Sequence, residues 1–198
     1  YAPMIEPEDI LAYDEFRPTA PSGNKVPRFT PNKQSKEALI KTIISSLADN
    51  ITSPALLQIE GKPAVFIYDG YWFHPSWDKD FKRTLATRIV SWYPPDQGNV
   101  FDYLSERWGE SISSIDDIIA VYPSSVEEFN GSSPRDIDFR QAFLEEYGEF
   151  WKQIKESVEN KVGRQIWLSS TFLNLDPLPA KNFVIQTDDL LKTKAFDG

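Results

Sequence analysis

Apolar residues along the chain follow two rhythms. In the first, they recur every three or four positions. Leu39, Ile43 and Leu47 do so, with Ile40 and Ile44 widening the stripe, and this spacing predicts a buried helix. The helix should start at an N-cap Ser35, carry Glu37 in its first turn and end before Pro54. Phe81, Leu85, Ile89 and Trp92 predict a second helix over Lys79–Trp92, stopped by Pro94-Pro95. A shorter one is expected at Val100–Trp108. The longest stripe runs through Phe139, Phe143, Tyr147, Phe150, Trp151, Ile154 and Val158, with Glu145, Glu146, Lys152, Lys155 and Glu156 off it. It predicts a helix from Pro134 to Val162, with proline in the first turn and Gly163 as the stop.

The second rhythm is continuous. Residues 55–68 read as two extended runs around Glu60-Gly61, and the second, Ala64–Tyr68, is apolar throughout. That pattern fits a strand covered on both faces. Ile115–Tyr122, opened by Asp116-Asp117 and closed by Pro123, predicts another such strand, and Gln165–Phe172 a third. Phe183–Gln186 is a further candidate strand, and a last short helix is expected from Asp188. Strands alternating with helices predict an α/β fold, a mostly parallel sheet covered by helices. Three or four strands fall short of the eight of a closed barrel, so the expected architecture is an open sheet or a partial, (β/α) barrel-like one.

Residues 1–34 stand apart. Pro3, Pro7, Pro18, Pro21, Pro27 and Pro31 forbid a long helix there and predict an extended arm, with one helical turn near residues 7–11. Phe16, Val26 and Phe29 could pack the arm on the body, or the arm could dock on a partner protein. The expected organisation is this arm followed by a single α/β domain over 35–198.

Composition narrows the chemistry. With 13 Phe, 8 Tyr and 6 Trp in 198 residues the chain is not disordered. A net charge of −9, from 21 basic and 30 acidic residues, repels phosphate backbones and argues against nucleic-acid binding. No apolar run reaches the roughly 20 residues that span a bilayer. Zero cysteine removes thiol catalysis, disulfides and zinc–thiolate sites, and the one histidine, His74, excludes a multi-histidine metal site. No metal site and no cofactor is expected: glycine-rich nucleotide loops do not occur, and the clusters Asp78-Lys79-Asp80, Asp136-Ile137-Asp138 and Asp188-Asp189 lack calcium-loop spacing and read as solvated surface. Sequons at Asn50 and Asn130, with Tyr1 opening the chain, point to a processed, secreted or lumenal protein.

In parallel α/β folds, working residues lie beyond the carboxyl ends of the strands. That rule selects Tyr68, Asp69, Tyr71, Trp72 and His74 after the first strand, Tyr122, Ser124 and Ser125 after the second, and Ser170, Thr171, Asn174 and Asp176 after the third. Flat rings beside carboxylates and amides suit a sugar. Trp72, His74, Tyr122 and Asn174 are the candidate substrate-binding residues, and Asp69 with Asp176 the one carboxylate pair that could act as acid and base in glycoside hydrolysis. The plainer alternatives are a turn cap for Asp69 beside Gly70, a hydrogen-bonded structural role for His74, and burial for Trp72 and Trp77.

Leu57-Gln58-Ile59-Glu60-Gly61-Lys62-Pro63-Ala64-Val65-Phe66-Ile67-Tyr68 resembles a segment of the barrels of glycoside hydrolase families 71 and 99, where a lysine-proline pair opens an apolar strand. Ile115–Tyr122, Phe139–Trp151 and Ile166–Phe172 resemble the elements that follow, so the likeness covers roughly residues 36–176, the later half of such a barrel. It implies a barrel-like scaffold with affinity for oligosaccharides. The glutamates of family 99 have no counterpart in Thr171-Phe-Leu-Asn-Leu-Asp176, so no catalytic residue is carried over. Two functions compete on this reading. One is a carbohydrate-active or carbohydrate-binding protein. The other is a non-catalytic interaction subunit that docks through its arm and aromatic surface. A piece of a larger enzyme is a third possibility.

Overall fold

The computed structural model of the protein describes residues 2–5, 33–48, 50–68, 79–94, 96, 98–123, 133–171 and 195–197. In chain order these hold strand β1 (Met4–Ile5), helix α1 (Lys33–Ala48), strands β2 (Gln58–Ile59) and β3 (Lys62–Tyr68), helices α2 (Lys79–Ser91), α3 (Val100–Trp108), α4 (Ile115–Ala120) and α5 (Pro134–Val162), and strand β4 (Trp167–Thr171). The class is α/β with a small, partly parallel sheet. They fall into two compact units. The first gathers described residues of 1–71, 148–175 and 186–198, and the second those of 72–147 and 176–185, the division crossing α5 between Tyr147 and Gly148.

The first unit is built on β3. It pairs in parallel with β1, Met4 opposite Phe66 and Ile5 opposite Ile67, and in parallel with β4, from Ala64 opposite Trp167 to Tyr68 opposite Thr171. Antiparallel β2 joins it through a two-residue turn, with Ile59 opposite Lys62. Both turn residues, Glu60 (φ 51°) and Gly61 (φ 76°), are left-handed. That is the demand of a type I′ hairpin, and glycine meets it freely while glutamate is strained. The Phe66 N–H donates to Pro3 and the Ala64 N–H to Leu57. Alternate amides of a strand point the same way, so β1 and β2 lie along one edge of β3 and β4 along the other. Ala64, Val65 and Ile67 are fully buried, with Leu168 beside them, as the continuously apolar run requires.

Of the expected arm, residues 2–5 and 33–34 are described; Met4–Ile5 pairs with β3 as β1, and Lys33 already opens α1. The helical turn near residues 7–11 and Phe16, Val26 and Phe29 lie outside the described residues, as do the strand at 183–186 and the helix from Asp188.

Helix α1 buries Leu39, Ile40, Ile43 and Leu47, the predicted stripe. It begins at Lys33, so the expected N-cap Ser35 is a buried residue inside the first turn. Lys36 donates to Gln153 (2.7 Å), tying α1 to the second half of α5. In that half Trp151, Ile154 and Val158 are fully buried. Gly163 ends α5 in the left-handed region (φ 74°), its N–H donating to Glu159.

Among its described residues the second unit holds helices and turns and no strand, and here one expectation fails. Ile115–Tyr122 is not a strand: Ile115–Ala120 is helix α4. Ser114 caps it, its Oγ accepting the Asp117 N–H, and the Asp117 carboxylate accepts the Ser113 N–H and hydroxyl and the Ser114 hydroxyl. These bonds hold the Asp117 carboxyl below the usual range, the Ser113 hydroxyl contributing most. Serine followed three residues on by an acid is a helix-start pattern, and it overrides the apolar run behind it. The parallel sheet therefore loses its second predicted strand, and its parallel pairs are β1 with β3 and β3 with β4. Helix α2 packs against α4 and buries Phe81, Leu85 and Ile89. Helix α3 starts at the N-cap Asn99, whose side chain accepts the Phe101 N–H.

Candidate functional site

Among the described residues, aromatic rings and charged groups meet in the second unit, on α3, the first turns of α5 and the end of α2. This meeting is built on a correction. The cluster Asp136-Ile137-Asp138, read as solvated surface, is inverted: Asp136 is 0% exposed and Asp138 6%, while Ile137 is 48% exposed. The cause is the start of α5. Ser133 accepts the Asp136 N–H, which fixes Asp136 in the first turn near the positive end of the helix. Arg135 also donates to the Asp136 carboxylate.

Asp138 then accepts a fork. The Arg107 Nε and Nη2 donate to its two oxygens at 2.8 and 2.9 Å, and the Trp108 indole N–H donates at 2.8 Å. Three donors on one buried carboxylate offset its desolvation, which an isolated charge could not survive. Hydrogen bonding to Asp138 raises the Arg107 guanidinium pKa further. Trp108 lies 5.7 Å from the Phe139 ring, so the polar pair is seated on the aromatic stripe of α5.

Tyr103 sits one helical turn before Arg107 on α3, so the two share a face. Its ring is 46% exposed and lies 4.6 Å from that of Tyr93. Burial, a hydrogen bond with Tyr103 and the charge of Asp138 push the Tyr93 hydroxyl up to about 12. The result is an exposed tyrosine leaning on a second tyrosine, beside a guanidinium whose direction is fixed by a buried acid. Further along the same unit, Arg88 donates to Glu146 (2.6 Å) and the Trp92 indole to Glu145 (3.0 Å), joining α2 to α5.

Of the residues picked out by sequence, Tyr68, Ser170 and Thr171 are described at the carboxyl ends of β3 and β4, where Tyr68 lies opposite Thr171, and the one other described is Tyr122. It follows helix α4, so the strand-end argument does not apply to it. Its ring is buried edge-on against Phe139 (5.0 Å, 80°), with the Lys82 ammonium over it at 4.5 Å. Burial pushes its hydroxyl well above the ordinary value. Asp69, Trp72, His74, Asn174 and Asp176 lie outside the described residues. Among the described residues, no group of three or more His, Cys, Asp or Glu could hold a metal ion, and no helix is long and apolar enough to cross a membrane. Sequence reasoning missed Tyr93, Tyr103, Arg107 and Asp138. The spacing of Tyr103 and Arg107 on one helical face was visible, but nothing in the chain announces that an acid 31 residues on would meet the arginine.

No protein-family model, no curated protein and no solved structure matches the chain.

Proposed function

We propose that the chain is a non-catalytic binding protein that engages a protein partner through the Tyr93–Tyr103–Arg107 face of its second unit. The carrying observation is the exposed Tyr103 ring beside an arginine held in a fork by Asp138. Tyrosine and arginine are the residues that concentrate binding energy at interfaces, and rigidity lowers the entropy lost on docking. The resolved shifts among described groups support a binding role. Asp117 and Asp197 are pulled down, and Arg107, Tyr93 and Tyr122 are pushed up. Each moves away from neutrality, whereas a general acid or base is tuned towards it.

The test compares the wild-type chain with Tyr103→Ala and Tyr103→Phe in quantitative capture from the native source. A partner retained by wild type and Tyr103→Phe, and depleted roughly tenfold or more by Tyr103→Ala, supports the reading, since a central aromatic contact is worth about 2 kcal/mol. Saturable quenching of tyrosine fluorescence by an oligosaccharide, abolished in Tyr103→Ala, would replace it with a sugar-binding one. Hydrolysis of that oligosaccharide would overturn it.

A further inference from the structure

The first unit holds a second device, independent of the face just described. Residues 195–197 lie against the edge of β4 that faces away from β3. The Asp197 N–H donates to the Leu168 carbonyl (2.8 Å), and the Leu168 N–H donates back to the Asp197 carboxylate (2.9 Å). The same carboxylate takes the Lys155 ammonium at 2.6 Å and faces that of Lys62 at 3.5 Å. Phe196 is 6% exposed, its ring 6.0 Å from that of Trp151, and Ala195 is fully buried. This has the parts of a peptide-recognition subsite: a strand-edge backbone bond, an aromatic seat one residue earlier, and a cationic clamp for an acid. The Lys62 ammonium also stands 5.8 Å from the Trp167 ring, so the clamp carries its own support.

We infer that Lys62, Trp151, Lys155 and Leu168 form a slot for an extended small–aromatic–acidic segment, filled here by the chain's own Ala195-Phe196-Asp197 and open to the same segment of a second copy. The occupant argues for itself, because a second copy presents identical chemistry. Its hold includes the Phe196 ring on Trp151, two hydrogen bonds with the Leu168 backbone and two lysine ammonium groups on the Asp197 carboxylate. A segment tethered to its own slot competes at an effective concentration on the order of millimolar. A free copy therefore enters only when the resident one is weakened.

The probe is a dye-labelled peptide of residues 194–198, Lys-Ala-Phe-Asp-Gly, titrated by fluorescence anisotropy into the full chain and its Asp197→Asn and Phe196→Ala variants. The variants should bind it at least roughly tenfold more tightly than wild type, and adding Lys155→Met to either should reverse the gain. A peptide with asparagine for the acid should lose the binding. The exchange itself is read by sedimentation: a Lys155→Glu chain mixed with an Asp197→Lys chain should form a heterodimer that neither forms alone. Equal peptide binding by wild type and variants, or a mixture that stays monomeric, overturns the inference. So does loss of the folded state in Asp197→Asn, which would make the segment an inseparable part of the fold.

Discussion

Asp138 in the second unit and Asp197 in the first each take three donors from other elements of the fold, and the contrast between them is instructive. Asp138 takes a planar guanidinium fork and an indole N–H, both from the last turn of α3. Asp197 takes two ammonium groups and a backbone N–H, from α5, β3 and β4. A fork dictates direction as well as distance, whereas an ammonium is a point charge on a flexible stem. The first arrangement fixes the orientation of neighbouring rings. The second gathers distant pieces of chain, up to 135 residues apart, without dictating their angles. Similar chemistry therefore serves rigidity in one unit and assembly in the other.

The sharpest way to break this contrast is truncation. Asp138→Ala should cost about 3 kcal/mol, because it strands a partly buried arginine and an indole N–H. Urea melting would give the loss, and hydrogen exchange should localise it to α3 and the start of α5. Asp197→Ala should cost less, about 1.5 kcal/mol, its lysines being able to turn towards water. Equal losses would erase the distinction. Exchanging the cations sharpens it: Arg107→Lys should cost about 1 kcal/mol by losing one bond of the fork, while Lys155→Arg should stay within about 0.5 kcal/mol.

Titration separates the units at opposite extremes of pH. Burial works to raise the Asp197 carboxyl, but bonds from Lys155 and the Leu168 N–H, with the charges of Lys155 and Lys62, outweigh it and leave it below the usual range. Its contribution is thus full above the unfolded value near 3.9 and is lost as pH falls through the lower folded one. An acid melt of Asp197→Asn should be correspondingly shallower than wild type. Tyr93 behaves in the reverse sense. With its hydroxyl at about 12 in the folded chain against roughly 10 unfolded, stability falls as pH rises between those values, and Tyr93→Phe should flatten that limb. The smallest effect belongs to the exposed Arg83–Asp116 pair joining α2 and α4. Arg83→Ala should cost no more than about 0.5 kcal/mol.

Helical periodicity made the long elements legible. The Phe139-to-Val158 stripe and Pro134 set both ends of α5, and Pro94 fixed the end of α2 within a residue. Strand β3 was visible as a run with no polar break after Lys62, while β4 showed only Trp167-Leu168 before Ser169, Ser170 and Thr171. Ile115–Tyr122 deceived for a physical reason. A six-residue helix with little room for periodicity looks like a buried strand, and the Ser114-to-Asp117 cap was the overriding signal. The two-residue β1 was hidden by Pro3, whose missing N–H costs nothing because its carbonyl makes the bond. The buried acids were not legible at all. Asp136 and Asp138 look like ordinary surface until the helix start and Arg107 are placed around them.

The central position of β3 also bears on how the chain comes together. Its hairpin partner β2 is a near neighbour in sequence, whereas β1 and β4 reach it from far away on either side. Closing such distant loops is slow compared with turning a tight corner. The left-handed Glu60–Gly61 corner is therefore the place where sheet assembly can start early. During synthesis the opposite flank of β3 must wait, unsatisfied, until residues 167–171 have been made.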